Sequence, residues 1–327
     1  MKRITCAIVL IVVLTGLSSC LISSDERYGL ERVGSARVGV GYRVFVDGDL
    51  AYLTHNDGAS IVDVSDPQSP MELAVIETPE ASFGIFAADG MAYVLAAGVG
   101  MKIVDVSNPA QPVTLGSINP GGILAGIVVE GNYAYVADRD RGFHIIDVSN
   151  AAHPVKVNGA YTQASRVEDV AKQGDIIYLA CPESGVHVVD VSDPASPRWV
   201  TTLPGTSGSN GVAIDSNNVL AVACYSRGVR VFDAANSEVP RYAGRFTGGH
   251  EAQKVSITSD YIAVAYNMDG LRLFGLNERL ELIEIGQYKT GSATHDVFCD
   301  DEYIYLADGA AGLLILKALE EAGQDGD

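Results

Sequence analysis

The chain has 327 residues, 47% of them hydrophobic, with 22 lysines and arginines against 41 aspartates and glutamates and a formal net charge of −19. That acidity excludes a surface built to hold a nucleic-acid phosphate backbone, which needs clustered Lys and Arg. The length alone would allow two domains, but the repetition described below makes one closed unit.

Residues 1–19 start with Met1-Lys2-Arg3, continue with an apolar run over residues 4–14, and end in small residues up to Ser19. This is the pattern of a secretory signal; a membrane-spanning helix needs ~20 apolar residues. Leu17-Ser18-Ser19-Cys20 resembles the bacterial lipobox, in which the cysteine is lipidated and becomes the mature N-terminus. The alternative is an ordinary secretory signal that happens to carry a cysteine. Leu21, where an Asp would favour the inner membrane in enterobacterial sorting, points to the outer membrane or cell surface. Processing removes Lys2 and Arg3 and leaves a net charge of −21. Residues 20–28 then form a tether, and residues 30–38 have the pattern of a lone β-strand.

From there the chain repeats itself. Residues 58–67 read G-A-S-I-V-D-V-S-D-P, residues 100–109 G-M-K-I-V-D-V-S-N-P, residues 142–149 G-F-H-I-I-D-V-S and residues 185–194 G-V-H-V-V-D-V-S-D-P. Weaker copies begin at Gly228, Gly270 and Gly312, and successive copies lie 42 or 43 residues apart. Each copy holds four β-branched or aromatic runs of strand length separated by Gly, Asn, Asp, Ser and Pro, without a helical period. Four strands of about six residues plus short loops fill ~40 residues. The predicted fold is therefore all-β: seven four-stranded antiparallel blades in a propeller over residues 29–319. The last copy has only three strands, so residues 30–38 are expected to complete it and remove both open edges. Residues 320–327 read as an acidic, disordered tail.

Residues common to all copies serve the blade. The glycine opening each third strand suits a positive φ. The aspartate five residues later suits an Asx turn. A tyrosine recurs on the second strand as Tyr52, Tyr93, Tyr135, Tyr178 and Tyr305, and becomes Ala221 and Ala263 in copies five and six. Its expected role is packing between blades. Cys181, Cys224 and Cys299 read as free buried thiols, because equivalent positions in neighbouring blades are too far apart to bridge.

The repeated I-V-D-V-S-D/N-P-x-x-P, preceded by Y-x-Y-V-A-D and a loop ending in glycine, resembles the LVIVD repeat of bacterial and archaeal surface proteins. Copies one to four match closely, while five to seven lose V-S-D/N-P. The resemblance implies an exported β-propeller of the cell surface or envelope and implies no reaction.

A site must therefore come from residues unique to single blades. The inner strands open with Tyr42-Arg43, Phe83-Gly84, Ala125-Gly126, Glu168-Asp169, Asn210-Gly211, Gln253-Lys254 and His295-Asp296. Ring closure gathers them at one channel mouth, so Tyr42, Arg43, Glu168, Asp169, Asn210, Gln253, Lys254, His295 and Asp296 form the candidate ligand-binding set. The alternative is a polar lining for a water-filled channel. A metal site from His295, Asp296, Glu168 and Asp169 has no motif spacing behind it, and His250-Glu251 lies near the same end. Neither metal nor cofactor is expected. Catalytic motifs such as G-x-S-x-G, H-E-x-x-H and C-x-x-C are absent from the sequence. The leading expectation is a lipid-anchored, non-catalytic scaffold for an envelope or extracellular protein or ligand. The alternative is a hydrolase or lyase working at the channel mouth.

Overall fold

The computed structural model describes residues 28–157, 164–249, 251–276 and 282–320. The signal, Cys20, the tether before Tyr28, His250 and the tail after residue 320 lie outside these residues. The described strands form seven four-stranded antiparallel sheets arranged as a propeller. In blade one the order from axis to rim is Arg43–Asp47, Leu50–His55, Gly58–Asp63 and Met71–Glu77. Blades two to six repeat that order, although in blade three the outer strand is described only over Val155–Lys156. Blade seven joins Asp296–Cys299, Ile304–Asp308 and Gly312–Glu320 to Tyr28–Ala36.

The closing strand copies its counterparts down to an irregularity. Outer strands slip by one residue against their neighbours, between Ile61 and Val62 in blade one and between Ile103 and Val104 in blade two. Tyr28–Ala36 slips in the same way between Arg32 and Gly34. A bulge sharpens the local twist, so the N-terminal strand bends as an outer strand must. A Cβ on Gly34 would lie 1.9 Å from the carbonyl oxygen of Pro67 in blade one, which leaves room only for glycine.

Local chemistry explains the repeated residues. The glycine opening each third strand has a positive φ in all seven blades, from 74° at Gly228 to 137° at Gly58, a region that side-chain-bearing residues enter at a cost. Asp63 Oδ1 accepts from the Ser65 N–H at 2.9 Å and its hydroxyl at 2.6 Å, and Asp105 binds Ser107 identically. The serine hydroxyl holds each carboxyl below the usual carboxylate range.

The core is a series of seven apolar layers between adjacent blades. Tyr52 of blade one shares a layer with Val104 of blade two, and Tyr93 shares the next with Ile146. The Tyr178 hydroxyl donates to the Ser237 carbonyl of the next blade at 2.9 Å. Cys181, Cys224 and Cys299 are buried, free thiols.

Candidate functional site

The seven inner strands stand side by side around the axis, each running from the mouth to the opposite face. Their opening residues form two tiers. In the deeper tier blades two, three and five place Gly84, Gly126 and Gly211, and blades one, four, six and seven place Arg43, Asp169, Lys254 and Asp296. A Cβ on Gly126 would sit 2.7 Å from Asp169 Oδ1, and one on Gly211 2.8 Å from the Gln253 carbonyl. The axis is too narrow for a side chain from every blade, so glycines make room for four charged ones.

Those four charges are spent on one another. Lys254 Nζ lies 2.9 Å from Asp169 Oδ2 and donates to the Glu168 and Asn210 carbonyls. Arg43 reaches Asp169 Oδ1 at 3.4 Å and Asp296 Oδ1 at 3.7 Å, and donates to the Ala125 and Glu168 carbonyls at 3.1 and 3.3 Å. Asp296 Oδ2 accepts the Val44 N–H at 3.1 Å. Their side chains are 9–15% exposed. Burial opposes the Arg43 charge, but Asp169 and Asp296 raise its pKa regardless. Burial and the nearby Arg43 bring Lys254 down to about 8. Burial would raise Asp169, yet Lys254 and Arg43 hold it below the carboxylate range. Asp296 is pushed up by burial, which outweighs the opposing pull of Arg43 and Lys254.

This neutral cluster ties blade one to blades three, four and seven, and blade six to blades four and five. The ring is thus locked at the axis as well as at the blade-seven edge. Where Gly84 and Gly126 leave space, a cavity of about 110 Å³ remains beside Arg43, Asp169 and Asp296. It is polar and large enough for a few waters.

The upper tier is the rim. The Tyr42 ring centroid is 5.6 Å from that of Phe83 and 6.0 Å from that of His295, making an aromatic arc over blades seven, one and two. Burial lowers the His295 pKa, so its imidazole is neutral at pH 7. On the other side Asn210 Nδ2 donates to Gln253 Oε1 at 2.6 Å. Glu168 is buried under Arg139, at 2.8 Å, and Arg166, at 2.6 Å. Burial would raise the Glu168 carboxyl, but these arginines hold it low. Arg139 also lies 5.4 Å over the Phe83 ring, bridging the two arcs.

All nine candidate residues therefore meet at the axis, in a paired layer (Arg43, Asp169, Lys254, Asp296) beneath a rim (Tyr42, Glu168, Asn210, Gln253, His295). Among the described residues no three His, Cys, Asp or Glu side chains gather to hold a metal. Arg139 and Arg166 escaped the sequence reading, which compared inner strands only. The Arg-Asp-Arg loop at residues 139–141 was the available signal. Asp138 fixes that loop by accepting the N–H groups of Asp140 and Arg141 at 2.8 and 3.1 Å, and it meets His144 Nε2 at 2.8 Å.

No curated protein matches the chain. Among solved structures, the computationally designed Ika8 protein superposes with a TM-score of 0.63 at 10% identity, over 88% of this chain and 100% of that one, a likeness of fold alone. The LVIVD repeat model matches residues 39–78, 84–119, 121–162, 164–203 and 291–316, more than half of the chain. These segments cover blades one to four and most of blade seven, and the protein belongs to the LVIVD-repeat family.

Proposed function

We propose that the protein is a lipid-anchored propeller of the cell envelope that binds another envelope protein or an extracellular ligand as a non-catalytic scaffold. One observation carries this reading: the axial charges are paired with each other around a cavity of only about 110 Å³, whereas small-molecule sites usually enclose ~300–1,000 Å³. A hydrolase or lyase at the mouth would need a free base or nucleophile. The Lys254 ammonium has three N–H groups and faces three oxygen acceptors, so it offers no lone pair, which leaves the rim imidazole of His295 as the base that such chemistry would have to use. Recognition then falls to the rim of Tyr42, Asn210, Gln253 and His295 and the loops around it, with Glu168 beneath that rim holding Arg139 and Arg166 and the paired charges keeping the surface in shape.

The test is a pull-down from the native envelope with wild type and with Tyr42→Ala/His295→Ala. One stoichiometric partner, retained by wild type and lost by the folded variant, is the expected result. Equal retention by both would move the site to another surface. Anchoring is tested separately by metabolic labelling with a fatty-acid probe, which should tag wild type and spare Cys20→Ser.

A further inference from the structure

We infer that the propeller stands with one particular face toward the bilayer, and that the channel mouth is the face turned outward to partners. The inference rests on the lipid-anchor reading and adds to it a direction, argued from strand polarity, charge and chain length.

Inner strands run away from the mouth and second strands return to it, so one face holds the turns from inner to second strand and from third to outer strand. Counted with the strand ends that flank them, the described residues of these turns carry eighteen acidic side chains against two basic ones, Arg198 and Arg241. The corresponding turns on the mouth face carry twelve acidic and eight basic side chains. Among the described residues, most of the excess negative charge in the turns therefore sits on the face opposite the mouth.

The closing strand begins on that acidic face. Tyr28 pairs with Glu320 at the far end of its neighbour, and its ring lies 5.8 Å from Tyr261 in an acidic-face turn of blade six. Ala36, at the other end, pairs with Leu313 beside the mouth. Cys20 precedes Tyr28 by eight residues, a span of at most ~28 Å when fully extended. The closing strand itself has nine residues and rises about 3.3 Å at each, so a tether starting at Tyr28 has no slack to fold back over the rim and reach beyond the mouth. A lipid on Cys20 consequently holds the acidic face nearer the membrane. Headgroups of anionic lipids repel that face over a Debye length of ~8 Å at physiological salt. The disc is held close to the bilayer without adhering to it, and its more evenly charged mouth stays accessible.

The experiment uses the processed full-length lipoprotein in vesicles of phosphatidylethanolamine and phosphatidylglycerol containing a headgroup-nitroxide lipid. Met268→Cys places a fluorophore on the mouth face, where Met268 is 70% exposed, and Asp301→Cys places one on the acidic face at an exposed turn of the adjacent blade. The three native cysteines in the fold are buried and escape labelling. The label at position 301 should be quenched several-fold more strongly than the label at 268. Equal quenching, or stronger quenching at 268, overturns the orientation while vesicle association that needs Cys20 keeps the anchor. Association that is absent in wild type, or unchanged in Cys20→Ser, overturns the anchor reading and the orientation with it.

Discussion

Blades one to four and blades five and six are built alike, yet the family model matches the first group and leaves residues 204–290 unmatched. The difference lies in where each interblade layer gets its volume. Between blades one and two the large residue is Tyr52 and the small one Val104. Between blades five and six the tyrosine has become Ala221, and the facing residue, equivalent to Val104, has become Phe274. Between blades six and seven, Ala263 faces Leu316 with Tyr261 alongside. In these two layers a larger residue on the facing blade stands where the tyrosine is lost, as close packing requires, while between blades four and five Tyr178 and Phe232 are both large and both fully buried. Blade five also lacks the serine of the turn: Asp233 caps only the Ala235 N–H, at 2.9 Å.

Blade seven departs further from the others, since it borrows a strand, and it supplies the largest expected effect. Deleting residues 28–36 should leave the strand Gly312–Glu320 with an unpaired edge and turn a monomer into aggregate, as read by size-exclusion chromatography. A monomer with unchanged melting would show that closure at that edge is dispensable.

The volume exchange comes next. Phe274→Ala should cost ~4 kcal/mol in denaturant unfolding, since Ala221 opposite offers nothing to fill the hole. In Ala221→Tyr/Phe274→Val the bulk returns to the other blade, and the double variant should lose less stability than its single changes summed. Strict additivity would mean that the two layers are not equivalent.

The axial lock draws on blades from both groups, because Lys254 belongs to unmatched blade six. Arg43→Met should cost ~3 kcal/mol by leaving Asp169 and Asp296 short of a buried partner. A change below half a kcal/mol would return these residues to the role of channel lining.

Lys254 also sets a pH dependence. Its pKa of about 8 in the fold lies below the unfolded value of ~10.4, so between those values the unfolded chain binds the extra proton and stability rises with pH. Compared with Lys254→Met, wild type should gain ~2 kcal/mol between pH 7.5 and 10, measured by urea unfolding. A flat difference would place the ammonium in water.

The smallest effect separates the turns. Asp147→Ala should cost at most ~1 kcal/mol, since this aspartate is half-buried at a strand end and binds Ser149. Its carboxyl is depressed by the Ser149 hydroxyl. Its contribution is therefore present above the unfolded pKa of ~3.9 and fades as pH falls through the lower folded value.

Much of the fold could be read directly from the chain. The period, the positive-φ glycines, the Asx turns and the lone strand at the N-terminus are consequences of local backbone needs, and each blade states them afresh. The gathering of nine polar residues at one mouth was legible too, because unique polar residues stand out against a repeat. Their division was not: Glu168 and Asp169 are neighbours in sequence, yet one meets Arg139 and Arg166 at the rim while the other joins Arg43 and Lys254 at the axis.

Sequence by itself determined the number of blades, the strand order and the closing strand, since these follow from hydrophobic period and turn chemistry within some forty residues. Only the tertiary structure decided that Phe274 replaces a missing tyrosine, that glycines open the axis for two opposed charge pairs, and that acidity collects on one face. Each of these depends on groups far apart in the chain whose distance is set by closing the ring, and the energies of packing and of charge are functions of that distance.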